Sequence, residues 1–150
     1  MKICVFTEFL SLNPGYSLCV VVKNICKMLH RFGHEIHLYV AEEFKDDYPS
    51  IPDVIIHKTT PRANQIDYRQ SKDLTPEHNS FIDNKLVPFM IEEFNKYDIV
   101  ITQDAVYTGW LMCYALGLQR ASSSIPNTLF LHFINSVCPR CPKDEYYDWL

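Results

Sequence analysis

Ser17-Leu18-Cys19-Val20-Val21-Val22-Lys23-Asn24-Ile25-Cys26-Lys27-Met28-Leu29-His30-Arg31-Phe32-Gly33-His34-Glu35-Ile36-His37-Leu38-Tyr39-Val40 changes its hydrophobic period once, at Gly33. Before the glycine, Leu18, Val22, Ile25, Leu29 and Phe32 recur at helical spacing, while Lys23, Asn24, Lys27, His30 and Arg31 fall on the other side. Ser17 is placed to cap the start of this helix, and Gly33 to take the left-handed backbone that so often ends one. His34 to Val40 then reads as a strand. Just upstream, Lys2-Ile3-Cys4-Val5-Phe6 is a short continuous apolar run, the pattern of a strand buried on both faces of a parallel sheet. Between it and the helix, Ser11 to Ser17 forms a loop with a Pro14-Gly15 turn. Strand, helix and strand in succession make a parallel unit, because parallel neighbours need a crossover between them.

The same alternation continues downstream. After a linker with Pro49 and Pro52, Asp53-Val54-Ile55-Ile56-His57 reads as a third strand, and the polar, aperiodic segment Lys58 to Thr75 as a long loop. Thr75-Pro76-Glu77 is a helix start, with a cap, a proline at the first helical position and an acid in the first turn; the apolar pattern continues to Phe94 with a kink expected at Pro88. Asp98 to Thr102 is read as strand four, Tyr107 to Leu116 as an aromatic-rich helix ending at Gly117, and Asn127 to Phe133, after the Ser122-Ser123-Ser124 linker, as strand five. The expected fold class is α/β, a Rossmann-like parallel sheet with helices on both faces. Ligands of such sheets bind beyond the carboxyl ends of the strands. The informative loops are therefore Thr7 to Ser17, Gln103 to Tyr107 and His132 to Ser136.

Composition narrows the function. With 150 residues, 47% hydrophobic and 21% charged, the chain has the balance of one soluble globular domain. A net charge of -4 supplies no positive field for nucleic acid. The four glycines are Gly15, Gly33, Gly109 and Gly117, and the nearest pair is 8 positions apart, which excludes both the G-x-G-x-x-G and the G-x-x-x-x-G-K-[ST] phosphate loops. No apolar run approaches the ~18 residues of a membrane span, so the reading is a cytoplasmic protein without one. Cys4, Cys19, Cys26 and Cys113 lie in apolar stretches and read as core thiols. His34-Glu35-Ile36-His37 cannot share a metal on a strand, since positions 34 and 37 face opposite sides. Cys138-Pro139-Arg140-Cys141 has metal or redox spacing but no second pair, and no zinc is expected there. The Tyr107, Trp110 and Tyr114 stripe is core or, less commonly, a sugar platform.

Three local patterns resemble the N-terminal half of a family 4 glycosyltransferase of GT-B architecture. Met1-Lys2-Ile3-Cys4-Val5-Phe6-Thr7 resembles the family's first strand, with Asn13-Pro14-Gly15 where it carries a glycine-containing loop. Leu29-His30-Arg31-Phe32-Gly33-His34-Glu35-Ile36-His37-Leu38 is similar to its helix, glycine-His-Glu junction and second strand. Tyr97-Asp98-Ile99-Val100-Ile101-Thr102-Gln103-Asp104 resembles its fourth strand and Thr128-Leu129-Phe130-Leu131-His132 its fifth. The resemblance implies a Rossmann-like acceptor-side domain over residues 1–133, a tail over 134–150, and a donor-binding second domain beyond the last residue. It implies transfer from a nucleotide-sugar donor to an unspecified acceptor with retention of configuration, without metal or other cofactor. Many members carry a His where Gln103 stands, before Asp104, and a glycine pair or triplet where only Gly15 is present.

On that reading His132 and Asp104 are the candidate catalytic residues, and Asn13, Gly15 and Gln103 the candidate substrate-binding ones. His132 could bond a hydroxyl or move a proton, or be a satisfied core histidine. Asp104 could receive acceptor hydroxyls, or cap the next helix through the amides of Val106 or Tyr107. Gly15 could let a sugar or phosphate approach the backbone, or sit in an ordinary turn that needs a positive φ; Asn13 could bond a sugar or start that turn. The isolated half is expected to self-associate or to need its second domain. Two rivals stand beside this reading: a non-catalytic Rossmann-like module binding a nucleotide, sugar or protein, and a thiol oxidoreductase using Cys138 and Cys141.

Overall fold

The computed structural model describes residues 1–62, 74–106 and 111–135. Five strands, β1 (Lys2–Phe6), β2 (Glu35–Ala41), β3 (Ile55–Thr60), β4 (Ile99–Gln103) and β5 (Leu129–Phe133), form one sheet in the order β3-β2-β1-β4-β5. Every pairing is parallel, with Cys4 opposite His37 and Val100, and Thr102 opposite His132. The α/β, Rossmann-like architecture expected from the sequence is present. Strands β2, β3 and β4 start and end one to three residues later than their apolar runs suggest, because pairing with a neighbour extends each ladder past its last apolar residue.

Helix α1 (Ser17–Arg31) covers one face of the sheet. Leu18, Cys19, Val22 and Cys26 pack with Ile3, Val5, Ile36, Leu38, Val40 and Ile101, the odd residues of β1 and β4 and the even residues of β2. The other face takes α2 (Pro76–Phe81), a π-helical turn (Ile82–Leu86), α3 (Val87–Phe94) and α4 (Met112–Ser122), whose side chains bury Cys4, Phe6, Tyr39 and Val100. Phe6 meets Phe94 and Tyr114 edge to face, at ring-centroid distances of 5.2 and 5.8 Å. A two-residue strand period thus feeds two separate cores from one chain.

Local signals explain the ends. At α1, Gly33 takes φ 79°, its N–H donates to His30 O (2.8 Å) and the N–H of His34 to Leu29 O (3.3 Å), the paired bonds of a Schellman close. The N-terminus differs from expectation: Tyr16 occupies the cap position without a side-chain bond and Ser17 is already helical, because the Asn13 turn delivers the chain in helical register one residue early. Phe32, placed on the apolar stripe by spacing, sits at the C-cap, beyond the helix proper, and is 75% exposed. Thr75 caps α2 as expected, in a reciprocal box with His78. The stretch read as one helix with a kink at Pro88 is α2, the π-helical turn and α3 in succession, with Pro88 in the first turn of α3. The backbone widens just before it, the N–H of Val87 reaching Ile82 O, so the ring avoids a regular i−4 carbonyl.

The second aromatic helix is displaced most. It runs Met112–Ser122, with Gly117 inside it rather than after it. A Cβ on Gly117 would lie 3.2 Å from Met90 Sδ and 3.3 Å from Leu86 Cβ, so glycine is there for close helix contact. Tyr114 is buried core, its hydroxyl donating to Pro61 O (3.0 Å), while Tyr107 and Trp110 lie outside the described residues. So do Cys138 and Cys141. The four other cysteines are free and buried, as their apolar neighbours in sequence suggest, and burial pushes Cys26 up to about 12 and Cys113 up to about 11.

Candidate functional site

Parallel pairing places the loops after β1, β4 and β5 along one sheet edge, and these three strands are neighbours. The loop after β1 is sewn to the end of β2 and the chain just beyond it. Thr7 N–H and Oγ1 both donate to Tyr39 O (3.0 and 2.7 Å), Ala41 N–H to Phe9 O (3.1 Å), and Lys45 N–H to Leu10 O (2.8 Å). Residues 13–17, at the far end of the loop, are exposed. Gly15 N–H donates to Asn13 Oδ1 (2.8 Å) and Tyr16 N–H to Asn13 O (3.1 Å), an Asx-type turn. Asn13 is thus the turn starter. Gly15 does not take the positive φ expected of it; the Asn13 side chain instead crowds its α-carbon, with Oδ1 3.2 Å from where a Cβ would stand.

At the end of β4 the chain turns sharply. Asp104 has φ 53°, a left-handed conformation that Asp tolerates better than most residues. Its N–H donates to Phe133 O (2.9 Å), and its Oδ1 accepts the N–H of Asn135. Asn135 Nδ2 also donates to Gln103 Oε1 (3.2 Å). Gln103 and Asp104 are 3% and 6% exposed, and Gln103 Nε2 has no hydrogen-bond partner among the described residues. An orphaned donor at the mouth of a parallel sheet is the kind of group that a ligand completes. His132, one register step back on β5, is exposed; its Nδ1 is 2.7 Å from Thr102 Oγ1 and its ring stacks over Phe130. Desolvation lowers its pKa, which favours the neutral imidazole.

Sequence patterns alone do not single out a second acid at this edge. Glu8 directly follows Thr7, and burial pushes its carboxyl up to about 7 against the opposing charge of Arg62. Burial also raises Tyr16, with Asp104, Cys19 and Glu8 adding to the effect, so these groups feel one another across the edge. Its one sequence signal is an acid close behind an apolar strand. The structure therefore joins Gln103, Asp104 and Asn135 in one hydrogen-bonded cluster, places His132 at the end of the neighbouring strand bonded to Thr102 rather than to that cluster, and leaves Asn13 and Gly15 in the loop after β1 bonded to each other. Among the described residues no group of three or more His, Cys, Asp or Glu is arranged to hold a metal. His37 is instead bonded to Glu35 (2.7 Å) and His57 (2.8 Å).

Comparison of the chain with known protein families, curated proteins and solved structures returned no significant match. The chemistry of the edge is a set of amide, imidazole, hydroxyl and carboxyl groups. Such groups exchange hydrogen bonds with a polyhydroxylated ligand and can pass it a proton.

Proposed function

We propose that this chain is the acceptor-side domain of a nucleotide-sugar-dependent, configuration-retaining glycosyltransferase of GT-B architecture. One observation carries the reading: adjacent parallel strands deliver Glu8, Gln103, Asp104, His132 and Asn135 to a single edge, with a buried amide donor unfilled. In this reading Gln103, Asn13 and the backbone beside Gly15 orient the acceptor. Asp104 receives its hydroxyls and His132 serves proton transfer, while a second domain holds the donor diphosphate. Catalysis then rests on positioning and on dipoles aimed at the leaving group, with no cofactor of its own.

The test is saccharide binding by the 150-residue chain. Saturation-transfer NMR against a panel of mono- and disaccharides and nucleotide sugars is expected to show at least one saccharide bound, and the signal lost in Asp104→Ala and His132→Ala. No saccharide binding, or binding indifferent to both substitutions, overturns the proposal. Nucleotide binding that persists in both variants points instead to a non-catalytic nucleotide-binding module.

A further inference from the structure

The outward half of α1 carries a chemistry that the sheet edge does not use. Val20, Met28 and Phe32 are 41%, 50% and 75% exposed, and Asn24, Lys27 and Arg31 lie exposed among them. At 100° per residue Lys23, Lys27 and Arg31 form one row along the helix, and Val20, Asn24 and Met28 the next, with Phe32 at its end. Asn24, Lys27, Met28, Arg31 and Phe32 line a shallow surface depression of about 550 Å³.

The charge of this face is one-sided. Helix α1 holds Lys23, Lys27, His30 and Arg31 and no acid, in a chain whose net charge is -4. Lys23 Nζ donates to Leu12 O (3.2 Å), and His30 lies 3.7 Å from the Asp53 carboxylate at the side of the row. Among the described residues neither Lys27 nor Arg31 has an ion-pair partner. Folding gains nothing from a phenylalanine left three-quarters in water beside two unneutralised cations.

We propose that this face of α1 docks the protein on an anionic lipid surface. Phe32, Met28 and Val20 enter the boundary between headgroups and acyl chains, and Lys27 and Arg31, with Lys23 at the margin, meet the phosphates. A nucleic acid would engage the cations and leave the apolar row in water. A lipid surface uses both rows. The proposal does not depend on the glycosyl-transfer reading.

Co-sedimentation of the 150-residue chain with vesicles tests it, using phosphatidylcholine alone and phosphatidylcholine with phosphatidylglycerol. The expected result is binding to the anionic vesicles only, falling as salt is raised. Lys27→Gln and Arg31→Gln should each weaken it about fivefold, and Phe32→Ser should weaken it further. In Phe32→Trp, the extra emission relative to wild type should move to the blue on binding. These positions are exposed, so the variants keep the wild-type melting curve. Absent binding, equal binding to neutral vesicles, or binding unchanged in the Lys27→Gln/Arg31→Gln double variant overturns the proposal. So does vesicle binding without a blue shift in Phe32→Trp, which with competition by duplex RNA would mark a polyanion surface instead.

Discussion

Replacing Glu8 by glutamine should make the protein more stable at pH 8 and leave it nearly unchanged at pH 4.5. Burial raises the carboxyl from 4.5 to about 7, with Arg62 pulling the other way. The folded state therefore keeps a proton that the unfolded chain has already released between those two pH values. For an acid raised in this way, the stabilising contribution is complete below about 4.5 and is lost as pH rises through about 7. Above that, the wild type holds a desolvated carboxylate at a cost of at most about 3 kcal/mol. Glutamine fills nearly the same volume and does not titrate. Guanidinium unfolding of wild type and Glu8→Gln at pH 4.5, 6, 7 and 8 measures the difference, which should grow with pH toward that limit of about 3 kcal/mol. For a domain of this size that corresponds to a melting shift of roughly 6–12 °C. A difference independent of pH, or a variant less stable at pH 8, would refute the placement of Glu8 as a desolvated acid.

Arg62→Gln removes the charge that lowers Glu8, so the loss of stability that starts near the unfolded value should run to a higher pH and become larger in the Glu8 background, and vanish when Glu8→Gln is added. On the acid side, burial and His37 lower His57, and burial lowers His132. Their contribution is present above the ordinary histidine value and lost as pH falls below it, so wild-type stability should also decline from about pH 6.5 downward, less so in His132→Asn. Gly117→Ala should destabilise by about 1–3 kcal/mol in denaturant melts, since the new Cβ meets Leu86 Cβ at 3.3 Å and outweighs the helix-propensity gain. Tyr39→Phe should cost about 1–3 kcal/mol by removing the hydroxyl that joins Glu93 (2.6 Å) and Tyr97 (2.9 Å). On the acceptor-side reading proposed above, the 150-residue chain incubated with nucleotide sugars should release no nucleotide above the His132→Ala/Asp104→Ala background, and turnover above it would refute that reading.

The order of the strands and helices and the parallel sheet were legible in the local patterns of the chain. Those depend on short-range periods: apolar runs for strands buried on both faces, a helical stripe in α1, the Thr75 box and the left-handed Gly33. The sequence also named Gln103 and Asp104, since an apolar strand followed by polar residues marks the edge where ligands sit. Other features depended on residues distant in the chain. Gly117 signals a helix end locally, yet its position was decided by Leu86 and Met90 pressing against it. The Asp104 carboxylate reads as a cap or a ligand, and tertiary structure gave it the amide of Asn135, 31 residues on. Glu8 carries an ordinary acid's character in sequence and a raised pKa only once the fold removes its water. Periodicity is a property of neighbours along the chain, whereas desolvation, helix proximity and hydrogen-bond partners exist only after segments far apart in sequence have been brought into contact.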